Sequence, residues 1–533
     1  MQTRYRWTAL QVTIALTVVI VLFGFWSPYF FWGLLLTVPL VLLGLYDLSQ
    51  KTHSLPRNFP ILGRLRYLIE AFAPALHQYV VESNRGGAPF NRDLRTLIYQ
   101  RSKNLEAKKA FGTEMNVYAP DYLWLNHSMA PKSDSPAELR VDIGGPQCSK
   151  PYNASIYNIS AMSFGSLSGN AVLALNTGAK KGNFFHTTGE GGISRYHRQP
   201  GGDLNWQIGS GYFGCRDNSG QFDPGAFAEQ SKNEQVKMIE IKISQGAKPG
   251  HGGILPGEKV TAEIAEARGV SIGTDCVSPA AHPAFSTPIE MMQFIAQLRE
   301  LSGGKPVGFK VCIGLPWEFL GVYKAMLETE IYPDFIVVDG AEGGTGAAPL
   351  EFTDRIGFPL KEGLVIVQNA LVGTGVRDKI RIGVSGKIVS GITMAGMAAL
   401  GADFVNTARG FMFALGCLQV QQCHTNHCPV GVATQDPELQ KALDVADKSE
   451  RVYNFHRNTI RALAEVVQAA GFNHPSQLTP SNFYQRQGPT AIQPYSEVYN
   501  FLKPGELLEG TDNPRFKKFW ELARADSFSP NNG

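Results

Sequence analysis

Charge is scarce in this chain. Of 533 residues 18% are charged, the formal net charge is +3, and no run of Lys and Arg has the length of a binding tail, which argues against a nucleic-acid partner. Disulfide-scaffold spacing is absent as well: Cys148, Cys215, Cys276 and Cys312 are scattered, as reduced core thiols of a cytoplasmic domain would be. No internal repeat or low-complexity tract stands out, which argues against solenoids and arrays. No G-x-G-x-x-G follows a first strand to open a helix. The glycines of VGTGVRD at 372–378 follow QNAL instead, so a nicotinamide fingerprint is missing.

What is abundant is glycine, 56 residues in short runs, which suits an enzyme with many tight turns and close backbone–ligand approaches. The most informative stretch is GCLQVQQCHTNHCPVGVATQ, with Cys417, Cys423 and Cys428 spaced C-x5-C-x4-C and closed by Cys-Pro. Soft thiolate ligands on a short loop, with a proline that stops a helix from running on, are what an iron–sulfur cluster needs. Three thiolates with no well-placed fourth favour a three-iron cluster and one-electron transfer. The competing reading is three buried apolar thiols.

At the N-terminus, Thr8 to Trp26 and Tyr29 to Leu45 are apolar stretches without charge, joined by Ser27-Pro28. Each is close to the roughly 20 residues that cross a bilayer. Arg4 and Arg6 precede the pair, and Lys51, Arg57, Arg64 and Arg66 follow it. Positive residues at both ends predict a helical hairpin over residues 1–50, with both termini and the catalytic domain on the cytoplasmic side of the membrane. A cleaved signal peptide is the rival, but no small-x-small site follows the first stretch.

Residues 51–150 read as a lead-in segment that packs on the main domain. From about 151 to 440, short β-branched runs alternate with helical stretches. Candidate strands lie at 155–160, 183–187, 236–244, 270–274, 306–312, 334–340, 380–386 and 403–408. One helix shows a Thr-Pro-x-Glu start and a Gly-Gly stop in TPIEMMQFIAQLRELSGG. Eight alternations predict an α/β fold of the parallel (β/α)8 TIM-type barrel, with a doubly wound sheet as the alternative. Residues 441–533 read as a helical extension with a polar, loose end.

In such a barrel, ligands sit at the C-terminal strand ends and phosphate is held after strands 7 and 8. Ser385-Gly386-Lys387 and Asn406-Thr407-Ala408-Arg409-Gly410 occupy those places, with Lys387 and Arg409 available to neutralise a phosphate. SAMSFGSLS after the first strand would put the backbone amides of Met162 and Ser163 beneath a flat ring. Lys310 carries the only charge of its strand to the barrel mouth, where a cation suits a reduced flavin. Glu190 in HTTGEGGIS, and Gln245 and Lys248 in SQGAKPGHGG, read as substrate-contacting loops.

NISAMSFGSLSGNAVLALNTGAKKGNFFHTTGEGG, QGAKPGHGGILPGEKV, VVDGAEGGTGAAPLEF and GCLQVQQCHTNHCPVGVATQDPEL together resemble the FMN-binding domain of glutamate synthases over about residues 150–440. With its apolar N-terminus, the whole chain looks most like the membrane-anchored FMN-binding proteins of that family. The resemblance implies FMN held by Met162, Ser163, Gln245, Lys310, Gly343, Gly344, Thr345, Ser385, Gly386, Thr407 and Ala408. It also implies a [3Fe–4S] cluster on Cys417, Cys423 and Cys428. By the same analogy, electrons pass from cluster to FMN, and a hydride reduces 2-iminoglutarate, made from 2-oxoglutarate and ammonia, to glutamate. Lys310 would stabilise reduced flavin, while Glu190 and Lys248 would orient or protonate substrate.

Departures from the family pattern keep other substrates open. TGEGGI, SGYFG and PGHGGILPG stand where TGEGGE, SGRFG and PGEGGQLPG are expected, so Ile193, Tyr212, His251 and Ile254 replace polar or charged groups. Another 2-oxo acid or another amine is one alternative. A membrane-tethered electron-transfer subunit is another. The N-terminal catalytic cysteine of a glutamine-hydrolysing domain is missing from this sequence, as is the C-terminal glycine-rich domain. Ammonia is therefore expected free or from a partner, and electrons from a donor protein or subunit.

Overall fold

Parallel strands and helices alternate from Tyr157 to Leu415 in the computed structural model, which describes residues 6–133, 139–255 and 257–531. The strands are β1 (Tyr157–Ile159), β2 (His186–Thr187), β3 (Leu204–Ile208), β4 (Val236–Lys242), β5 (Val307–Val311), β6 (Phe335–Asp339), β7 (Arg381–Ser385) and β8 (Phe404–Thr407). They close into one barrel. The closing pair is β8 with β1, parallel, with Val405 opposite Tyr157 and Thr407 opposite Ile159. That pair excludes the open doubly wound sheet.

Two strand positions differ from the sequence expectation. Residues 270–274 form no strand: the helix Ala262–Arg268 ends at Gly269 with φ 65°, and a turn follows. The third barrel strand is instead β3, LNWQI. Its apolar pattern is interrupted by Asn205 and Gln207, which donate to the carboxylate of Glu240 on β4 at 3.1 and 2.5 Å. A barrel interior that is polar at this level hides a strand from any search for apolar runs. The helix predicted from its Thr-Pro start does form, as Pro288–Leu301. Thr287 Oγ1 accepts from Glu290 N at 3.1 Å, and Gly303 and Gly304 follow the helix at φ 70° and 86°.

The N-terminal end of the barrel is sealed. A β-hairpin of Arg140–Ile143 and Tyr152–Ser155 inserts Ile143 and Ala154 against Phe185, Met238, Phe335, Val337 and Phe404. This apolar plug leaves the C-terminal rim as the face for ligands. Outside the barrel, helix Val445–Ala469 buries Val452, Phe455, Leu463 and Val467 at helical spacing, largely against Gly169–Gly182 and Gly391–Ala399. The described residues of the C-terminal end pack on the barrel helices. Helix Pro514–Leu522 packs on Pro316–Thr329, Lys324 Nζ donates to Ala523 O at 2.9 Å, and Ala525 O accepts from Ile289 N at 3.1 Å. Polar side chains there face water while Phe516 and Ala523 are buried.

The chain separates into two compact units, Met1–Asp93 and Leu94–Gly533. In the first, helices Thr8–Gly24 and Leu34–Ser49 pack together through a 3-10 turn at Pro28–Gly33. Glycine permits the contact: a Cβ at Gly44 would lie 2.6 Å from Leu10 Cδ1, and one at Gly33 would lie 2.9 Å from Ile20 Cδ1. Among the described residues one helical stretch, Pro28–Ser49, is long and apolar enough to cross a membrane. Thr8–Gly24 is apolar but shorter, at 17 residues.

Candidate active site

All the predicted barrel residues gather on one rim, because each follows or ends a parallel strand. Met162 and Ser163 come after β1, Glu190 after β2, Gln245 and Lys248 after β4, and Lys310 lies near the end of β5. Gly343, Gly344 and Thr345 follow β6, Ser385 ends β7 with Gly386 and Lys387 after it, and Thr407 ends β8 with Ala408 and Arg409 after it.

Lys310 is buried at this rim, 3.3 Å from Asp339 Oδ2. Burial alone would lower its pKa. The carboxylates of Asp339 and Glu240 outweigh that and raise it, so the ammonium is kept. Asp339 also accepts Gly246 N at 2.8 Å and is hydrogen-bonded by the Ser385 hydroxyl. One carboxylate thus ties together β5, β7 and the loop after β4. The loops approach so closely that a Cβ on Gly246 would lie 1.7 Å from Gly340 O. Gln245 Nε2 reaches Thr345 Oγ1 at 3.4 Å.

Beside this network stands a second charged group. Lys242, opposite Lys310 across the β4–β5 pair, donates to Glu190 Oε1 at 2.8 Å. Burial would raise the Glu190 pKa, but Lys242, then Lys248 and Arg268, hold it below the ordinary carboxyl value. Lys248 donates to Gly252 O at 3.3 Å, and burial followed by Lys242 lowers its pKa. Arg268 is buried, with Nε unpartnered and its Nη2 3.2 Å from where a Cβ on Gly191 would stand. Glu190 is therefore an ionised, anchored carboxylate, and Lys248, beside it, holds its proton less tightly than an ordinary lysine.

Across the rim, Lys387 (φ 53°) and Arg409 form a cationic pair. Burial lowers both, each feels the Glu342 carboxylate, and Arg409 falls to about 10. Arg409 Nη2 donates to Glu342 O at 2.7 Å, and a Cβ on Gly344 would come within 2.8 Å of its guanidinium. Two partly desolvated cations among glycine-rich turns suit a phosphate. The donor set thus fits FMN at both ends: cations for the phosphate, and a buried ammonium for the pyrimidine edge of the ring.

The cysteine loop is fastened to the loop after β1. Ser168 N donates to Val432 O at 2.9 Å, the Ser168 hydroxyl to Gly431 O at 2.6 Å, and Gln435 Nε2 to Gly165 O and Leu167 O at 3.1 and 2.9 Å. Cys417 is pushed up to about 11 by burial, with Cys423 and Cys428 adding to the rise, so the three thiols lie close enough to sense one another. Among the described residues, no three His, Cys, Asp or Glu side chains are gathered tightly enough to hold a metal ion. The thiols fit a cluster in kind and in sequence spacing, not as a gathered ligand set.

Sequence reading missed Lys242, Asp339, Arg268 and Glu240. The alternation of Glu240 and Lys242 within an apolar strand was the available signal. Of the departures noted above, Tyr212 and Ile193 are buried. Tyr212 OH bonds His282 Nδ1 and Ala284 N, each at 3.1 Å, and braces the loop before the Pro288–Leu301 helix. His251 and Ile254 are exposed.

The sequence pattern for the conserved region in glutamate synthase matches residues 146–473. The glutamate synthase large subunit-like protein YerD of Bacillus subtilis (strain 168) is 36% identical over 514 residues, covering 88% of this chain and 97% of that one. The archaeal glutamate synthase [NADPH] of Methanocaldococcus jannaschii is 37% identical over 320 residues, 59% of either chain, so this chain spans about three-fifths of that relative's length. Among solved structures, a flavocytochrome b2 double mutant with pyruvate bound is 12% identical with a TM-score of 0.42, covering 79% of this chain and 85% of that chain. The chain belongs to the glutamate synthase family.

Proposed function

We propose that the protein is a membrane-anchored, FMN-dependent oxidoreductase of glutamate synthase type. It reduces an imine, formed from a 2-oxo acid and ammonia or an amine, to an amino acid. The observation that carries this reading is the rim itself: a buried, charged Lys310, a cationic pair and a Glu190–Lys242–Lys248 group on one barrel mouth. When bound, FMN would supply a hydride for the imine carbon, and Cys417, Cys423 and Cys428, once drawn together, would hold an iron–sulfur cluster whose chemistry is single-electron transfer.

The chain's own residues do the rest. Lys387 and Arg409 neutralise the phosphate, aided by the backbone of Ser385, Gly386, Thr407 and Ala408. Met162, Ser163, Gln245, Gly343, Gly344 and Thr345 line the ring. Lys310, kept charged by Asp339 and Glu240, favours negative charge beside it. Glu190 is fixed by Lys242 and orients the substrate nitrogen, and Lys248 Nζ delivers the proton that imine reduction requires. Arg268 and Lys248 are the cations available to a substrate carboxylate.

Anaerobic stopped-flow mixing of the reduced holoprotein with a panel of 2-oxo acids, with and without ammonia or methylamine, tests this. Flavin reoxidation that requires both a 2-oxo acid and an amine is the expected result. The panel should include short 2-oxo acids, because Tyr212 brings no charge to the site. Indifference to every 2-oxo acid would instead make the protein an electron-transfer subunit.

A further inference from the structure

Helix Leu62–Leu76 carries a bare apolar stripe. Leu62, Leu65, Leu68, Ile69, Phe72 and Leu76 are each between 49% and 58% exposed. At 100° per residue these six fall within about 120° of the helix circumference. Arg64 and Arg66 flank the stripe on either side, and Glu70 lies on the opposite face, 2.7 Å from Arg66. An apolar stripe bordered by arginines is the pattern of a helix lying in a bilayer interface, with leucine in the acyl boundary and guanidinium at anionic headgroups.

The neighbouring contacts set its depth. Asp47, fully buried two residues before the end of the apolar stretch Pro28–Ser49, pairs with Arg64 at 2.7 Å and accepts Ile61 N at 3.1 Å. Arg64 also lies over the Tyr46 ring, 5.5 Å from its centroid. A Cβ on Gly63 would clash with Pro56 Cα at 2.8 Å, so the helix begins pressed against the segment that leaves the span. Its first turn is fastened where the spanning helix ends, at the level of the headgroups.

We propose that Leu62–Leu76 lies in the membrane plane on the cytoplasmic side, its leucine stripe in the acyl boundary and Arg64 and Arg66 on anionic phospholipid. This rests on the anchoring proposed above, and the test separates the two. Benzophenone side chains are placed singly at the positions of Leu68, Phe72, Glu70 and, as a control within the span, the exposed Leu42. The full chain is reconstituted into vesicles of phosphatidylethanolamine and phosphatidylglycerol and irradiated. Severalfold more phospholipid adduct at 68 and 72 than at 70 is expected. Capture of a second copy of the chain at 68 and 72, or no difference between the faces, overturns the proposal. If lipid is captured at 42 but not at 68 or 72, the anchoring stands and the interfacial helix falls. Capture at none of the four defeats both.

Discussion

Lys310 illustrates how burial and charge act against each other at one residue. Desolvation opposes its ammonium, and two carboxylates restore it. Replacing it by methionine removes a preorganised cation from the barrel mouth, where the proposed reaction develops charge. Lys310→Met is expected to slow imine reduction about 10²- to 10³-fold in single-turnover measurements. Lys248 offers a pH test. Burial and Lys242 place its pKa below the ordinary lysine value of 10.5, so the proton is lost before that pH is reached. The rate of imine reduction should fall along an alkaline limb lying below 10.5, and Lys248→Arg should be slower and lack that limb. Glu190 acts at the other extreme. Its folded pKa lies below the ordinary 4.5, so its stabilising contribution is present above about that pH and is lost as pH falls through the folded value. Glu190→Gln should flatten the acid limb of the thermal unfolding midpoint. It should also cost about 3 kcal/mol near neutrality, since Lys242 is left unpaired.

At the scale of elements, what could be read in advance was whatever announced itself by type and spacing. The Thr287 cap, the strands with β-branched runs and the glycine-rich turns after β6, β7 and β8 stood out, and with them Lys310, Lys387 and Arg409. What could not be read was polarity used internally. Strand β3 was missing from the candidate strands because its side chains answer Glu240, which is on another strand and becomes a partner only once the barrel closes. Asp339 was missed for the same reason. Burial raises the Glu240 pKa, yet Asn205, Gln207 and Lys310 all face it. Glu240→Leu would leave the Asn205 and Gln207 amides without their acceptor and the Lys310 ammonium with Asp339 as its remaining carboxylate, and a loss of about 3–5 kcal/mol is expected in denaturant unfolding. The cysteine loop separates differently. Cys423→Ser should lower bound iron and labile sulfide while leaving the flavin content near one per chain, because its fastening to the loop after β1 runs through Ser168 and Gln435 rather than through the thiols.

The molecule as a whole pairs a sealed barrel with an apolar N-terminal unit, and each has its own test. Helix Thr8–Gly24 is about 25 Å long at 1.5 Å per residue, somewhat less than the roughly 30 Å of a bilayer core. Aromatic residues stand at both ends of the helical pair: Trp7 and Tyr46 at one, and Trp26, Tyr29 and Trp32 at the other. Each of these is at least half exposed. Such belts are favoured where a ring meets both acyl chains and headgroups, and they extend the effective span of a short helix. On the membrane-anchored reading proposed above, a pair of helices held this way is inserted rather than adsorbed. The full-length protein should therefore remain in the membrane pellet after high-salt and alkaline carbonate washes, and leave it only with detergent. Release by salt alone would mean that the contact is electrostatic and superficial. Recovery of a shortened mature chain beginning after Trp26 would make the first stretch a signal segment.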